Sequence, residues 1–377
     1  MNYKDIARLF TLSILFLLLS CHREKGGEDQ ALETISVDLN MRNHVYSSEL
    51  FADIQVIPLE TTPESLIRQI TQIKYFEERF YIHDYSRSCL LVFDSKGHFL
   101  FALNEKGNAP GQYLNLTDFE IDKIHKNIVI LCAVSNSLYF YDLEGKFIKN
   151  QKLPNIIGAY NSFQFQNEDT IAFFTYDYNS RLKFYSLSEG KIFREEYPED
   201  RKDIFCRGVF PFPNAFRWAL IGTVYSLSDA CISELYRWDF GDLNNDLAQL
   251  DFRPNMNRQE QIQYVRDAYS SKSVNYVIDQ QGQNSRYRYA MVVRKDKYLH
   301  LFYDRRKNVL LQFEHTQEGL GLFPIYFGEE FMLCTPEGGL PVDELFPEKL
   351  RNEEQQRMIQ SLSDEENPIL IQYDFKK

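Results

Sequence analysis

Residues 79–100 return without a gap as residues 127–148, 48 positions later. Val92-Phe93-Asp94-Ser95-Lys96-Gly97-His98-Phe99 becomes Phe140-Tyr141-Asp142-Leu143-Glu144-Gly145-Lys146-Phe147, and Phe80-Tyr81-Ile82 becomes Ile128-Val129-Ile130. Each copy joins short runs of strand-forming residues through a turn that carries Asp and Gly, the residues that tolerate turn geometry. A single unit of this kind cannot cover its own apolar faces, so neighbours must stack. A period of roughly 40–50 residues built from short strands and turns marks the blades of a β-propeller. The expected fold class is all-β, a propeller of four-stranded antiparallel blades with short helical insertions.

Strand-like runs continue along the 377 residues. The first unit covers residues 67–75, 79–83, 89–94 and 98–103, and the second covers 115–153. In the third, residues 170–175 and 183–186 lead to a turn at Ser188-Glu189-Gly190. The fourth falls within 205–251 and includes Ala219-Leu220-Ile221 and residues 235–238. In the fifth, Ile262, Val265, Ala268 and Tyr269 have helical spacing, which predicts an insertion over 258–270 before strands at 298–303 and 309–313. The sixth holds residues 331–334, a polar stretch from 347 to 367 with Pro347 placed to open a surface helix, and a final strand at 369–373. One early strand, residues 54–57, is left over. A ring must close or leave sheet edges bare, so this strand is expected to share a blade with the last one. That count gives six blades, and the irregular third to fifth units leave five or seven open.

The amino terminus is of another kind. Lys4 and Arg8 precede an apolar run over residues 9–19, the charged and apolar regions of a secretory signal. The run is short for a bilayer, which needs about 20 apolar residues. It ends in Leu18-Leu19-Ser20-Cys21, which resembles a bacterial lipobox, cut before Cys21 with the cysteine then lipidated. Residues 22–30 are polar and read as a flexible tether. Their acids Glu24, Glu28 and Asp29, interrupted by His22, Arg23 and Lys25, are similar to the surface-export signal of Bacteroidota-type lipoproteins. The expected organisation is a signal peptide over 1–20, a tether and lead-in over 21–50, and the propeller over 51–377.

The formal net charge is −12, and −13 without Lys4, Arg8 and Asp5 of the first 20 residues. Such a surface repels phosphate backbones, so no nucleic-acid partner is expected. Cys89, Cys132, Cys206, Cys231 and Cys334 are odd in number, form no CxxC pair and mostly sit in apolar runs; they are expected to be buried small hydrophobes. His22, His44, His83, His98, His125, His300 and His315 show no metal-ligand spacing. There is no GxSxG, P-loop or GxGxxG followed by a helix. No metal, cofactor or catalytic residue is expected, and a binding role is favoured over an enzymatic one.

The candidate ligand face comes from three loops read as joining second to third strands. One contains His83, Asp84, Tyr85 and Arg87; another Tyr176, Asp177, Tyr178 and Arg181; the third Asp304, Arg305 and Arg306. In each, Asp is soon followed by Arg. Gathered around an axial opening, such loops would offer acids, guanidiniums and aromatic faces to a sugar, peptide or carboxylate. The competing reading is structural: each Asp bonds its own loop backbone and a nearby Arg pairs with it. Asp94 and Asp142, at the repeated turns, are expected to be turn formers.

The chain resembles the six-bladed β-propeller lipoproteins of Bacteroidota-type bacteria and, more distantly, NHL-repeat propellers. The resemblance rests on Val56-Ile57-Pro58-Leu59-Glu60-Thr61, the turn from Val92 to Gly97, the loop Gly107-Asn108-Ala109-Pro110-Gly111-Gln112-Tyr113, and Asn367-Pro368-Ile369-Leu370. Where Ala109 and Gln112 stand, the family shows a Gly-Pro-Gly-Glu-Tyr-like motif. The resemblance implies the fold and an outer-membrane address, lipid-anchored and periplasmic or surface-facing, but no activity. The expected function is a tethered binding or scaffold module for an envelope protein, glycan or peptide. The alternative is a hydrolase or lyase acting on a carbohydrate or lactone in the axial pocket. If Cys21 carries the anchor, Cys21→Ala releases the protein from the membrane fraction or stalls its processing; a processed, membrane-bound variant would refute the anchor.

Overall fold

The central strands of the repeat are buried on both faces, which is why they read as unbroken apolar runs rather than alternating ones. Cys89–Asp94 and Ser137–Asp142 share one burial pattern, and Arg79–Asp84 and Asn127–Cys132 share another. The computed structural model describes residues 32–177, 180–196, 209–212, 215–218, 221–245, 260, 263, 267, 275–295, 297–336, 340–363 and 365–377.

Strands β1 (Glu33–Ser36) and β2 (Phe51–Pro58) come first. Blade I is β3 (Ile70–Phe76), β4 (Arg79–Asp84), β5 (Cys89–Asp94) and β6 (Phe99–Leu103). Blade II is β7 (Asp118–Asp122), β8 (Asn127–Cys132), β9 (Ser137–Asp142) and β10 (Phe147–Lys152). Blade III is β11 (Tyr160–Phe165), β12 (Thr170–Thr175), β13 (Leu182–Ser186) and β14 (Lys191–Glu196). Blade IV is β15 (Val209–Phe212), β16 (Ala215–Trp218), β17 (Thr223–Ser228) and β18 (Cys231–Asp239), with β1 added as a fifth strand beside β18. Blade V is β19 (Val277–Gln283), β20 (Tyr287–Arg294), β21 (Lys297–Asp304) and β22 (Val309–Phe313). Blade VI is β23 (Pro324–Phe327), β24 (Phe331–Cys334), β25 (Ile369–Phe375) and β2. The fold is a six-bladed β-propeller of four-stranded antiparallel blades.

Apolar cores fill the gaps between blades. The core between blades VI and I joins Leu370 and Leu333 to Phe80 and Ile82. The repeated turns are Asx turns. Asp94 Oδ1 accepts from the Lys96 and His98 amides, and Asp142 Oδ1 from those of Glu144 and Lys146. Gly97 (φ 88°) closes the first turn, and a Cβ there would lie 2.1 Å from the Pro58 carbonyl oxygen. Only glycine lets that turn meet the closing strand.

The ring closes as expected from the leftover strand: Ile54, Gln55, Val56 and Ile57 face Tyr373, Gln372, Ile371 and Leu370. The propeller also reaches into the segment expected to be a tether and lead-in. Residues 37–50 run from β1 in blade IV to β2 in blade VI, across the outer strand of blade V. Gln312 of that strand is buried and binds the strap on both sides. Its Nε2 donates to the Asp38 and Met41 carbonyls at 2.5 and 2.7 Å, and its amide donates to Asn43 Oδ1 at 2.8 Å. Val37, Leu39, Val45 and Leu50 are buried. The early strap had read as a linker because its apolar residues are isolated among polar ones.

Other expectations shift in detail. The surface helix starts later than Pro347: a 3-10 turn at Glu348–Leu350 precedes the helix Glu353–Gln360, whose capping residue is Asn352. Ala219 and Leu220 lie outside the described residues, and Ile221 is not in a strand. Most of 258–270 lies outside the described residues. Cys89, Cys132 and Cys334 are buried, Cys231 is exposed, and Cys206 lies outside the described residues. Among the described residues no helix is long and apolar enough to cross a membrane.

Strand β25 is the inner partner of the closing pair, flanked by β24 and β2. Leu370 is fully buried there, so Leu370→Ala should cost about 2–5 kcal/mol, a large part of a typical stability of ~5–15 kcal/mol. Removing residues 369–377 should abolish the cooperative unfolding transition in urea. A truncated chain that unfolds with an unchanged midpoint would contradict closure by this strand.

Candidate functional site: one end of blades I to III

Strands alternate in direction, so each loop's place in the blade fixes the end at which it lies. Loops between second and third strands share one end with the blade-to-blade connections. The β4–β5 loop holds Asp84, Tyr85 and Arg87, and the β12–β13 loop holds Tyr176, Asp177 and Arg181. Both lie at this end, while Tyr178 lies outside the described residues. The Asp304, Arg305 and Arg306 loop does not join them. It connects β21 to β22, the third and fourth strands of blade V, and so lies at the opposite end. Strands β19 and β20 had gone unrecognised in the sequence, and β21 was therefore counted as a second strand. The idea of Arg87, Arg181 and Arg306 on one face falls with that correction.

The three aspartates are structural, anchored by backbone amides and by basic side chains, Lys183 and Arg286, from outside the loop arginines. Asp84 is fully buried and accepts from the Arg68 and Arg87 amides at 2.8 and 3.1 Å. The Arg87 side chain instead donates to the Leu66 and Glu64 carbonyls, holding the connection that enters blade I. Asp177 receives Lys183 Nζ at 2.9 Å, and the same buried ammonium reaches Glu195 at 2.8 Å. Arg181 is buried as well. At the other end, Asp304 receives Arg286 Nη2 at 2.9 Å and the amides of Arg306 and Lys307. These bonds, with desolvation opposing them, hold the Asp304 carboxyl below its ordinary pKa. Arg305 donates to the Ser285 carbonyl at 3.3 Å.

His83 is buried, with Tyr85 and Phe119 edge-on at 6.2 and 6.4 Å. Burial pushes its pKa from 6.5 to about 4, against the pull of Asp84 and the Leu116 backbone. Toward the axis, Lys74 of β3 pairs with Glu120 of β7 at 2.8 Å. Asp118 of β7 accepts from the Phe163 amide of β11 at 2.9 Å. Burial raises Asp118 to about 6 although Lys74 and that amide oppose it. These groups staple the inner strands of blades I to III together. Among the described residues no group of three His, Cys, Asp or Glu side chains could hold a metal ion.

Among exposed polar residues such as Glu64, Arg68 and Lys106, this end also presents large apolar side chains to solvent. Leu66, Tyr85, Leu114, Val134, Ile157 and Tyr176 are exposed, from 38% for Leu66 to 69% for Val134. Three belong to second-to-third strand loops of blades I, II and III, and three to the connections before them. The other exposed large apolar residues among those described are scattered: Leu100, Ile148, Phe193 and Val309 occupy the outer strands of four blades, Tyr298 lies on β21, Ile124 in the β7–β8 turn, and Met41 and Tyr46 in the segment between β1 and β2. Scattered single residues need no explanation, but a run across three blades does.

Hydrogen bonds link the six positions into one strip. The Arg87 side chain and the Tyr85 amide tie the first loop to Leu66 and Gln69. Tyr113, beside Leu114, donates to the Leu103 carbonyl at 2.7 Å and reaches the Ser88 carbonyl at 3.4 Å. Thr117 Oγ1 accepts from the Ala133 amide beside Val134. Asn136 Nδ2 donates to Asn155 Oδ1 at 3.1 Å, and the Tyr176 amide donates to the Ala159 carbonyl at 2.9 Å, next to Ile157. Sequence reading missed Leu66, Leu114, Val134 and Ile157. The available signal was an apolar residue placed among turn formers, as in Val134-Ser135-Asn136 and Ile157-Gly158.

The buried histidine has a measurable consequence. With its folded pKa lowered to about 4, His83 stays neutral while the unfolded chain takes up a proton below about 6.5. Its contribution is present above that pH and is lost as pH falls toward 4. The stability of the native protein should therefore drop more steeply from pH 6.5 to 4 than that of His83→Gln. The difference in slope should approach, and not exceed, about 1.4 kcal/mol per pH unit. Urea midpoints across that range check it; parallel curves would show that His83 titrates normally.

The comparisons with known proteins agree with this architecture. A structure of a protein from Bacteroides fragilis NCTC 9343, assigned as exported, is 16% identical with a TM-score of 0.70, covering 92% of this chain and all of that one. A member of the DUF4221 family from Bacteroides vulgatus ATCC 8482 is 12% identical with a TM-score of 0.54, covering 89% of this chain and 99% of that one. At such identities the likeness is one of fold. No curated protein matches in sequence. The model of the family described as "Domain of unknown function (DUF4934)" matches residues 32–374, from the first described strand almost to the last residue of the closing one, and the chain belongs to that family.

Proposed function

We propose that this protein is an envelope binding module, tethered through Cys21, that docks a partner protein through the apolar strip on blades I to III. The observation that carries the reading is the run of six exposed apolar side chains on consecutive loops of one end. Four are aliphatic, which suits a protein surface better than a sugar, whose faces pair with aromatic rings. Tyr85 and Tyr176 at the two ends of the strip supply large, rigid contact area at low entropic cost. The amides Gln69, Asn136 and Asn155 lie beside them in the same loops and can serve a polar rim.

The rigid frame beneath favours binding over chemistry. A hydrolase or lyase would need carboxylates converging on the axis. Asp84 and Asp177 are instead held by backbone amides and by Lys183, and toward the axis Glu120 is paired with Lys74 and Asp118 accepts from the Phe163 amide. A platform of six interlocked blades moves little on binding, so affinity is not lost to ordering the loops. The assignment of the structural neighbour from Bacteroides fragilis as an exported protein supports an envelope address.

Photo-crosslinking residues placed in living cells at Val134 and Ile157, and at Ile124 at the other end, test the reading. A discrete adduct is expected from the first two positions and not from Ile124. Tyr85→Asp with Tyr176→Asp should abolish that adduct. These side chains are exposed, so the melting temperature should change by no more than about 0.5 kcal/mol would produce. Adducts of equal strength at Ile124, or none at the strip, would refute it. An adduct of twice the chain's own mass would replace the partner protein with a second copy.

A further inference from the structure

At the same end of the disc, on the side away from the strip, the strap meets the β20–β21 turn of blade V. A cleft of about 210 Å³ lies there, with Leu39 and Leu299 in its apolar wall. Among the described residues four cations line it, Arg42, Arg294, Lys295 and Lys297, against one carboxylate, Glu314. That is a local reversal of sign in a chain of net charge −12. Asp296, between two of these cations in sequence, lies outside the described residues.

The one carboxylate is already engaged. Arg42 Nη2 lies 2.8 Å from Glu314 Oε1, and Lys297 Nζ 3.0 Å from Oε2. Burial would raise the Glu314 pKa, but the bonds from Lys297 and Arg42 outweigh it and hold the group below its ordinary value. Arg42 and Lys297 are thereby both directed at Glu314. Among the described residues, Arg294 meets a neutral acceptor in this cleft, Asn40 Oδ1 at 3.2 Å. A guanidinium has five donors in a fork, so most of its capacity stays available. Lys295 is exposed at the tip of the turn, held there by a left-handed backbone at φ 51°.

We propose that this cleft is an anion site for a phosphate-class oxyanion, gripped by Arg294 and Lys295 with Arg42 and Lys297 behind them. The arginine fork matches two oxygens of a tetrahedral oxyanion, and the lysine adds a point charge. A concave wall of low dielectric concentrates the field of the four cations where the anion sits. The volume holds one phosphate group with a few waters, at roughly 30 Å³ per water. The phosphate can belong to a small phosphorylated compound or to a lipid headgroup. The second source follows from the tether proposed above, on which this point rests, since the strap that forms one wall begins 16 residues beyond Cys21.

The test uses the full chain in neutral detergent, titrated with inorganic phosphate at constant ionic strength, with chloride as the comparison salt. Saturable binding is expected with phosphate and not with chloride. Arg294→Gln with Lys295→Gln should weaken it by at least about tenfold, as loss of a charge-assisted pair does. Arg306→Gln with Lys307→Gln, exposed at the opposite end, should leave it unchanged. If the first double variant fails to fold, Lys295→Gln alone, at an exposed turn tip, should still weaken binding. Vesicles of phosphatidylcholine with and without phosphatidylglycerol separate the sources. Binding to the phosphatidylglycerol vesicles that phosphate competes away assigns the site to a headgroup; phosphate binding without vesicle competition assigns it to a soluble ligand. No saturable phosphate binding, or equal binding by wild type and the Arg294/Lys295 variants, would overturn the proposal.

Discussion

The antiparallel pairing of Phe51–Pro58 with Ile369–Phe375 is the constraint on which the rest depends. A propeller blade is stable only between two neighbours, and an open ring would leave two blades with bare apolar faces. Here the closing pair buries Leu370 against blade I and Ile371 and Tyr373 against blade V. The Tyr373 hydroxyl also donates to the Leu345 carbonyl at 2.6 Å. Near the chain's end, Arg286 donates to the Lys376 carbonyl at 2.7 Å, and the Lys376 amide to the Leu50 carbonyl at 3.0 Å. The strap over blade V extends the same closure, so the amino-terminal segment binds three successive blades. The loops at the other end of the strands inherit their rigidity from this ring.

The architecture was legible where the repeat is strict. Blades I and II follow the 48-residue period because equivalent positions are apolar and buried against the next blade in both, Tyr81, Leu90 and Val92 in one and Val129, Leu138 and Phe140 in the other. The closing strand was legible by elimination, because an apolar run at each end had no other partner. Blades IV and V were legible only in part: residues 235–238 lie in β18, and 298–303 and 309–313 in β21 and β22, but β19 and β20 were missed. The missed strands, Val277–Gln283 and Tyr287–Arg294, interleave polar residues with buried ones, Gln280, Gln281 and Gln283 being half-buried and Arg288 buried. Arg217 and Arg288 are nearly fully buried, Arg217 donating to the Ile278 carbonyl and to Gln281 and Arg288 lying over the Tyr236 ring at 3.9 Å. Sequence patterning reads such residues as surface, and the strands disappear from view.

That loss had a sharp consequence at the candidate site. Miscounting strands within a blade by an odd number moves a loop to the other end of the disc, and this is what befell Asp304, Arg305 and Arg306. The aspartates themselves were legible as turn and strand-end anchors, but their partners were not. Lys183 comes from the next strand and Arg286 from the preceding turn, and neither is marked by local spacing. The apolar strip stayed hidden for a different reason. A lone Leu or Val in a loop carries no periodicity, and its meaning comes only from the loops of neighbouring blades lying side by side.

The emerging picture divides the molecule by physical task. Charged residues of the loops mostly hold the frame, and the exposed apolar ones form a surface with no covering element from the described chain. If that surface is what the ring exists to present, it is covered where the protein works. Amide hydrogen exchange, compared between the protein in isolated envelopes and the purified protein in detergent, measures this directly. The account predicts slower exchange in envelopes for residues 64–69, 85–88, 133–136 and 155–159, with residues 123–126 and 305–308 unchanged. Equal exchange of the strip loops in both preparations would contradict it.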